Sequence, residues 1–255
     1  MIILLSPAKI QNFKSKEAIK FHSQPEFLDE ASYLVALMRD LKPAELGGLM
    51  EINSQLSHLN FDRFVQWHLP FTLNNAKQAV LAFDGEVYRG LNAGTFTEEE
   101  MKYAQQHLRL FSGLYGILKP FDLIQAYRLE VSSKLMNHAG NDLYPFWKEK
   151  VTQSIQRDLR TSGQPEIILN LSSSEYSKIL DIKKANISML NVEFLEYQHD
   201  RFKQIVVYTK KARGMMARYV IRHKIENVED LKGFNENGYW YHHELSNKNK
   251  LVFVR

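Results

Sequence analysis

The order in which strand-like and helix-like segments follow one another constrains the fold of this chain most. Short apolar runs typical of buried strands alternate irregularly with stretches in which apolar residues recur at helical spacing. Predicted strands lie at residues 2–5, 80–83, 167–171, 202–209, 239–241 and 251–254, and predicted helices at residues 25–41, 98–111, 144–159 and 212–224. Because strands and helices do not alternate strictly, the sequence predicts an α+β fold with a central mixed sheet and surrounding helices.

The length of the chain is compatible with one large domain or two small ones. It has 255 residues, and single domains run up to about 250 residues. No internal repeat, low-complexity tract or linker rich in Pro, Gly and Ser interrupts it. We therefore expect one domain spanning residues 1–255, in which residues 43–67 form two or three short helices.

The absence of cysteine removes several kinds of chemistry. Disulfides, a thiol nucleophile and thiolate metal sites are all excluded. The start of the chain has only five apolar residues before Ser6-Pro7, too few for the core of a signal peptide, and no apolar run approaches the roughly 20 residues that cross a bilayer. We expect a soluble cytoplasmic protein that does not associate with a membrane.

A metal site and a bound cofactor are not expected either. The only adjacent histidines are His242 and His243, and neighbouring side chains in a strand point to opposite faces of the sheet. The two rings are therefore poorly placed to share a metal ion.

Positive charge is concentrated in one segment of the chain, residues 201–224. The whole chain carries a formal charge of +4, whereas this segment carries +8 and contains no Asp or Glu, so the remainder sums to −4. The cations are Arg201, Lys203, Lys210, Lys211, Arg213, Arg218, Arg222 and Lys224. Such a concentration is typical of a protein that binds a polyanion, although a solvated basic face is the alternative interpretation.

The predicted helix at residues 212–224 separates a basic face from an apolar one. At 100° per residue, Arg218 and Arg222 each fall within about 20° of Lys211. The packing face is predicted to consist of Ala212, Met216, Tyr219, Val220 and His223. The alternative is an ordinary amphipathic helix whose arginine stems lie along apolar surface.

Gly214 is predicted to lie in the first turn of this helix. Glycine costs about 1 kcal/mol in a helix interior, which indicates that something approaches the backbone closely there. A phosphate group fits that position, because helix starts attract anions and Lys210, Lys211 and Arg213 surround it.

Two further segments place polar residues where a ligand site is expected. Residues 108–130 set single polar side chains into an apolar frame with Gly113 and Gly116, and a packed structural loop is the alternative. Residues 170–176 follow a predicted strand and bring serines and Glu175 to its end, where the serines are equally suited to capping a helix. No serine lies in a GxSxG motif, so a hydrolase triad has no support. Residues 239–241 form an aromatic run that offers a stacking platform for a base, or part of the core.

Seven segments taken together resemble the YaaA family of peroxide stress resistance proteins. They are LLSPAK (4–9), AFDGEVYRGL (82–91), LRLFSGLYGILKPFDLIQAYRLE (108–130), LYPFW (143–147), NLSSSEY (170–176), KKARGMMARYVI (210–221) and GFNENGYWY (233–241). The resemblance covers nearly the whole chain in the right order. Two positions depart from the family pattern, Lys119 where arginine is common and Ala126 where proline is common.

The resemblance implies a cytosolic bacterial protein that limits oxidative damage during hydrogen peroxide stress. It also implies lowered free intracellular iron, protection of DNA, and DNA binding through a positively charged cleft and a helix-hairpin-helix element in an unusual mixed fold. Residues 43–67 are the predicted place for that element, which grips phosphates with backbone N–H groups. The turn at residues 51–54 lacks the usual glycine-rich hairpin.

The leading hypothesis is therefore a monomeric protein that binds DNA largely independently of sequence. The residues expected to contact DNA are Lys9, Arg128, Lys210, Lys211, Arg213, Arg218 and Arg222. The alternative is an enzyme that acts on nucleotides or damaged DNA in the same cleft, with Asp84, Glu175 and Tyr115 as candidate catalytic residues. Direct iron sequestration is a third hypothesis, and clustered His and carboxylate ligands are not evident for it.

Overall fold

The computed structural model of the protein describes residues 1–14, 19–161 and 166–255. Its helices are α1 (Leu28–Arg39), α2 (Pro43–Met50), α3 (Ser54–Gln66), α4 (Ala79–Ala82), α5 (Glu86–Leu91), α6 (Glu98–His107), α7 (Leu143–Thr161), α8 (Ser174–Ser177) and α9 (Val206–His223), with short 3₁₀ helices at Ala93–Thr95, Val228–Gly233 and Glu236–Gly238. Its strands are β1 (Ile2–Leu5), β2 (Ile10–Gln11), β3 (Lys77–Gln78), β4 (Phe83–Asp84), β5 (Leu108–Ser112), β6 (Gly116–Leu118), β7 (Leu123–Ile124), β8 (Ile167–Asn170), β9 (Ser188–Gln198), β10 (Arg201–Lys203), β11 (Trp240–Tyr241) and β12 (Lys250–Val254).

The start of α6 shows how local sequence sets a boundary. Thr97 Oγ1 accepts a hydrogen bond from Glu100 N at 3.2 Å, and Glu100 Oε2 accepts one from Thr97 N at 2.7 Å. This capping box satisfies two N–H groups that have no partner inside the helix. Acidic residues in the first turn add a favourable interaction with the helix dipole.

One mixed sheet organises the molecule and confirms the α+β prediction. The strand order is β11-β12-β9-β8-β1-β5-β6, and β10 pairs with the far end of β9. The pairs among β5, β1, β8, β9 and β12 are parallel, whereas β6, β10 and β11 are antiparallel to their neighbours. All four residues of β1 are fully buried at the centre of this single fold.

The path of the chain through the sheet creates a crevice beside β1. From β1 the chain adds β5 on one side, and it later adds β8, β9 and β12 in turn on the other side. The direction of strand addition therefore reverses between β1 and β8. In open sheets of this kind, loops leaving the carboxyl ends of the strands diverge at such a reversal and leave room for a ligand.

Several predicted elements are wrong in type or extent. Residues 80–83 were predicted as a strand but lie mostly in α4, and the helix predicted to reach residue 111 ends at His107, where β5 takes over. Residues 202–209 are divided between β10 and the start of α9. The strand β9 was not predicted, although Leu190, Val192 and Phe194 alternate with more polar residues along it. Short apolar runs fit a buried helix as well as a strand, so only tertiary packing distinguishes them.

Gly214 has a different role from the predicted one. Because α9 begins at Val206, Gly214 lies in its interior, and a Cβ atom there would overlap the carbonyl oxygen of Val87 in α5. A Cβ atom at Gly90 would likewise overlap the carbonyl oxygen of Lys211. The close approach at Gly214 is therefore that of a neighbouring helix and not of a phosphate.

Candidate functional site

A cleft of about 330 Å³ opens at the carboxyl ends of β1 and β8, where the order of strand addition reverses. Its walls come from residues 6–11 after β1, residues 84–88 around the start of α5, residues 127–130, residues 171–176 after β8, and two side chains of α9. The strand-end position predicted for residues 170–176 is confirmed.

Hydrogen bonds join the two loops that leave β1 and β8. Ser173 N donates to Ser6 Oγ at 2.8 Å, and Ser6 Oγ donates to Ser173 Oγ at 3.2 Å. Tyr88 OH donates to the carbonyl oxygen of Ser6 at 3.0 Å and brings α5 against the same loop. A Cβ atom at Gly85 would lie 3.3 Å from Ala8 Cβ, so this turn also packs closely on the first loop.

Four basic side chains line the cleft, namely Lys9, Arg128, Lys210 and Arg213. The Nε atoms of Arg128 and Arg213 are buried and make no hydrogen bond to any residue that the structure describes. Burial lowers the pKa of Arg213, and the carboxylate of Glu193 partly counteracts this. A buried donor without a hydrogen-bond partner costs free energy, so a ligand acceptor that bonds to either Nε atom would recover that cost.

Four carboxylates line the same cleft, and most have a cation beside them. Glu130 Oε1 lies 3.4 Å from Arg128 Nε and 3.9 Å from Lys9 Nζ. Arg89 pairs with both Asp84, at 3.4 Å, and Glu86, at 2.6 Å. Acidic and basic side chains are therefore equal in number along the lining, and the positive charge implied for the cleft stays a prediction.

Glu175 is the fourth of these carboxylates, and its partners are hydroxyl groups. Its Oε1 accepts a hydrogen bond from Ser132 Oγ at 2.7 Å, and its backbone carbonyl accepts one from Tyr144 OH at 3.0 Å. This places the carboxylate at the edge of the cleft in a fixed orientation.

Three tyrosines form much of the apolar wall, namely Tyr88, Tyr127 and Tyr176. Burial raises the pKa of each phenol well above its ordinary range, so all three are neutral hydrogen-bond donors at physiological pH. The hydroxyl groups of Tyr127 and Ser112 lie 2.6 Å apart. Neutral phenols of this kind do not serve as bases.

The structure brings together six of the predicted site residues and separates the others. Lys9, Asp84, Arg128, Glu175, Lys210 and Arg213 line the cleft. Tyr115 is fully buried away from it, where its hydroxyl accepts a hydrogen bond from Trp67 Nε1 at 3.0 Å. Lys211 is exposed on α9 outside the lining.

The far end of the basic segment is held by neighbouring helices. Arg218 donates to the carbonyl oxygens of Leu91 and Asn92, both at 2.9 Å, and to Thr95 Oγ1 at 2.8 Å. Arg222 lies 3.4 Å from a carboxylate oxygen of Glu100. These two arginines connect α9 to the segment between α5 and α6.

The near end of the segment is different. No ion pair to a residue within the described ranges is formed by Arg201, Lys203, Lys210, Lys211 or Arg213. The cations available to a ligand therefore lie at residues 201–213.

The sequence-based prediction did not name several residues of the cleft as site residues. Ser6, Glu86, Tyr88, Glu130 and Ser173 belong to this group. Ser6 and Ser173 each follow a predicted buried strand closely, which is the signal that could have identified them.

A second cavity of about 300 Å³ lies on the β5 and β6 side of the sheet and contains Asp122. Burial raises the pKa of the Asp122 carboxyl from its ordinary value of 3.8 to about 6, although hydrogen bonds from Ser23 Oγ and Lys119 N act in the opposite direction. Nearby, Arg109 Nε donates to Asp158 Oδ2 at 2.7 Å.

Two features are absent from the described residues. No group of three or more His, Asp or Glu side chains there is arranged to hold a metal ion. Among the helices in these ranges, none combines the length and apolarity needed to cross a bilayer.

Comparison with known protein families identifies the chain. The family model described as peroxide stress protein YaaA matches residues 1–245, which include every wall of the cleft and all of α9. The chain therefore belongs to the YaaA family of peroxide stress proteins, which gives it a role in the peroxide stress response.

Proposed function

We propose that the protein acts in the peroxide stress response by binding DNA independently of sequence. One observation carries this proposal: the cations at residues 201–213 form no ion pair with any residue that the structure describes, and two of them, Lys210 and Arg213, line the cleft. Lysine and arginine side chains without protein partners neutralise phosphates and release the counterions condensed on DNA. Lys9, Arg128 and Lys211 would extend the same phosphate-binding surface.

The size of the cleft defines how DNA would sit on it. Its volume of about 330 Å³ lies at the small end of the range for ligand sites, roughly 300–1,000 Å³. A duplex therefore lies across the mouth of the cleft, with Lys210 and Lys211 on its backbone. A single phosphate or nucleotide unit reaches the guanidinium groups of Arg128 and Arg213.

The helix pair α2–α3 is the proposed helix-hairpin-helix element. Residues 51–53 join the two helices, and Asn53 Oδ1 accepts a hydrogen bond from Leu56 N at 2.9 Å. Burial, and then the nearby charge of Arg128, lower the pKa of Arg63 in α3. Because that effect requires proximity, Arg63 lies near Arg128, and the proposal includes α3 in the DNA-binding surface on this ground.

Reversing two exposed charges tests the proposal. The Lys210→Glu/Lys211→Glu variant is expected to bind duplex DNA at least ten-fold more weakly in fluorescence anisotropy. Its plot of log affinity against log salt is expected to be shallower by about 1.8, since each phosphate contact on a duplex contributes a slope of about −0.9. The contribution of Arg218 and Arg222 is tested separately, because these side chains also hold α9 to its neighbours.

A matched control keeps the change in net charge constant. Lys183 and Lys184 are exposed just before β9, at the amino ends of the parallel strands, whereas the cleft lies at their carboxyl ends. The Lys183→Glu/Lys184→Glu variant is expected to bind duplex DNA as the unmodified protein does. Equal weakening in both variants would show that overall charge, and not the position of Lys210 and Lys211, controls DNA binding. Unchanged binding in the Lys210/Lys211 variant would overturn the assignment of these residues to the DNA-binding surface.

A second candidate function is an enzyme that acts on nucleotides or damaged DNA in this cleft. It is favoured by the position of Asp84 and Glu175 in the same cleft as Arg128 and Arg213, whose buried Nε atoms make no hydrogen bond to the described residues, an arrangement that suits acid–base chemistry on an anionic substrate. Incubation with oligonucleotides that contain oxidised or abasic sites tests it. Turnover that Asp84→Asn or Glu175→Gln destroys would establish the enzyme, and the absence of turnover by the unmodified protein would remove this candidate.

The proposal also includes the cellular consequences that the family resemblance implies. The protein acts as a monomer in the cytosol, protects DNA from oxidation, and contributes to lower free iron during peroxide stress. Strains that carry only the Lys210→Glu/Lys211→Glu variant are expected to accumulate more oxidised bases under peroxide than strains with the unmodified protein. Measuring free iron in the same strains separates DNA protection from iron lowering. Increased base damage at an unchanged level of free iron would show that the protein protects DNA by binding it.

A further inference from the structure

One carboxylate of the cleft, that of Glu130, lies beside two of the cations that line it. Its Oε1 is 3.4 Å from Arg128 Nε and 3.9 Å from Lys9 Nζ. The other three carboxylates of the lining have their partners elsewhere, in Arg89 or in a serine hydroxyl. Within the part of the chain that the structure describes, Glu130 is therefore the only carboxylate that neutralises cations of the lining.

The contacts of the Glu130 carboxylate are looser than those of other acids with little exposure. Its side chain is only 13% exposed, yet the carboxylate accepts no hydrogen bond from the described residues, and Arg128 Nε makes none either. By contrast, Arg109 Nε donates to Asp158 at 2.7 Å. A carboxylate that leaves water without hydrogen bonds costs free energy. Glu130 is therefore a nearby counter-charge of Arg128 and not a hydrogen-bonded partner that fixes it.

The backbone of Glu130 is held at the cleft by its contact with Gly113. A Cβ atom at Gly113 would overlap the carbonyl oxygen of Leu129 and press on the backbone of Glu130, so only glycine permits this approach. Burial is the main cause of the raised pKa of Tyr127 and Tyr176 in the cleft wall, and the Glu130 carboxylate contributes to both. The negative charge of Glu130 therefore lies inside the cleft.

The backbone of DNA has no donor that Glu130 could accept from. Its phosphate oxygens and deoxyribose ring oxygens are acceptors, and the 2′-hydroxyl group that could donate is present only in RNA. A phosphate that approaches Arg128 or Lys9 therefore meets a like charge beside those cations. Such repulsion is strongest where the protein excludes water.

We propose that Glu130 is an internal anion that competes with the phosphates of DNA for Arg128 and Lys9, and thereby limits the affinity of the cleft for DNA. Lys210 and Arg213 form no ion pair with the described residues and are available to phosphate from the start. Arg128 and Lys9 become available only when a phosphate replaces Glu130 as their counter-ion. The inference rests on the proposed DNA binding and names the residue that restrains it.

Replacing the carboxylate with an amide of the same shape tests the competition. The Glu130→Gln variant is expected to bind duplex DNA about five-fold more tightly in fluorescence anisotropy, because the loss of one like charge leaves two cations free for phosphate. Its plot of log affinity against log salt is expected to be steeper by about 0.9 for each cation that gains a phosphate. Since the carboxylate accepts no hydrogen bond from the described residues, the substitution breaks none of them.

A second substitution shows whether this gain acts through the cations. Lys9→Ala is expected to weaken duplex binding by less than about two-fold in the unmodified protein, where Glu130 already neutralises the lysine, and by about five-fold in the Glu130→Gln variant. The side chain of Lys9 is 66% exposed, so its truncation removes little packing. Equal effects of Lys9→Ala in the two backgrounds would overturn the competition.

The matched control is Glu229→Gln, which removes one carboxylate beside a lysine outside the cleft. Glu229 lies 2.6 Å from Lys232, and neither residue lines the cleft. This variant is expected to bind duplex DNA as the unmodified protein does, and a gain equal to that of Glu130→Gln would attribute the effect to net charge and overturn the inference.

Weaker binding in Glu130→Gln would also overturn the inference, since Glu130 would then support Arg128 or contact the ligand. In each of these cases, DNA binding by the unmodified protein would leave the proposed function intact. Failure of both the unmodified protein and the Glu130→Gln variant to bind DNA would contradict the proposed function together with the inference.

Discussion

At the scale of single residues, the partners of a cation decide whether it serves stability or binding. Arg218 and Lys211 lie on the same helix and, by helical spacing, on the same face. Arg218 makes three hydrogen bonds to residues 91–95 and lies over the ring of Phe96, whereas Lys211 makes no side-chain contact of this kind with the described residues. Two cations on the same face of one helix therefore have different roles, because only Arg218 has partners in the neighbouring segment.

The Arg218→Ala variant is expected to lose about 2 kcal/mol of unfolding free energy, because hydrogen bonds from a charged donor contribute about 1.5–3 kcal/mol and this side chain is partly exposed. Lys211→Ala is expected to change that free energy by less than about 0.5 kcal/mol. Urea denaturation followed by circular dichroism measures both. Equal stability of the two variants would contradict a structural role for Arg218.

The pH dependence of stability follows from Asp122. Because its pKa is higher in the folded protein, about 6, than its ordinary value of 3.8, the folded state binds this proton more tightly than the unfolded state does. The contribution of Asp122 to the free energy of unfolding therefore increases as the pH falls from above 6 to about 4. The difference amounts to about 3 kcal/mol, at 1.36 kcal/mol per pKa unit.

Comparison with an Asp122→Asn variant isolates this contribution from those of other groups. Subtracting the variant's unfolding free energy from that of the unmodified protein, at each pH between 4 and 8, is expected to give a difference that is constant at high pH, begins to rise as the pH falls through about 6, and levels off near the ordinary pKa of 3.8. A flat difference curve would show that the Asp122 carboxyl titrates at its ordinary pKa.

At the scale of elements, the contact between α5 and α9 positions two walls of the cleft. Gly90 and Gly214 allow the two backbones to touch, and the residues at either side of this contact, Tyr88 and Arg213, both face the cleft. The site therefore depends on how closely two helices approach, and not on either helix alone.

The Gly214→Ala variant is expected to lose about 3 kcal/mol of stability, because the added methyl group overlaps the backbone of α5 and overpacking of this kind costs about 1–3 kcal/mol or more. Helix propensity alone predicts the opposite, a gain of about 1 kcal/mol. Gly48 in α2 is the matched control, since a Cβ atom there meets nothing within 4 Å, and Gly48→Ala is expected to stabilise the protein. A stabilising Gly214→Ala would contradict the close helix contact.

At the scale of the whole molecule, the order of strands decides where the site lies. Loops that are more than 160 residues apart in the chain, those of Ser6 and Ser173, are joined by hydrogen bonds because β1 and β8 are parallel neighbours. The residues before β9 lie at the amino ends of the parallel strands and do not line this cleft.

Hydrogen exchange measures this asymmetry directly. Duplex DNA is expected to slow the exchange of backbone amides in residues 6–11 and 206–213, where the proposed contacts lie. Exchange in residues 181–187, at the amino ends of the parallel strands, is expected to stay unchanged. Protection confined to α2 and α3 would move the DNA site from the cleft to the proposed helix-hairpin-helix element.

The amino-acid sequence by itself determined the features that depend on local patterns. Apolar runs identified the central strand Ile2–Leu5, helical spacing identified α1 and α7, and the capping residue Thr97 identified the start of α6. The concentration of positive charge at residues 201–224 and the segments shared with the YaaA family were also evident, because both are properties of the order of residues.

Only the tertiary structure decided which residues of those patterns meet. It divided the basic segment into cations at residues 201–213 that form no ion pair with the described residues and arginines held by α5 and α6, and it divided the predicted aromatic run into a buried Tyr239 and an exposed Trp240. It also removed Tyr115 from the cleft and brought in Glu130 and Tyr88. The physical reason is that burial, ion pairing and pKa depend on neighbours that are distant in the chain. The strand order brings those neighbours together, and the local periodicity of apolar residues does not determine that order.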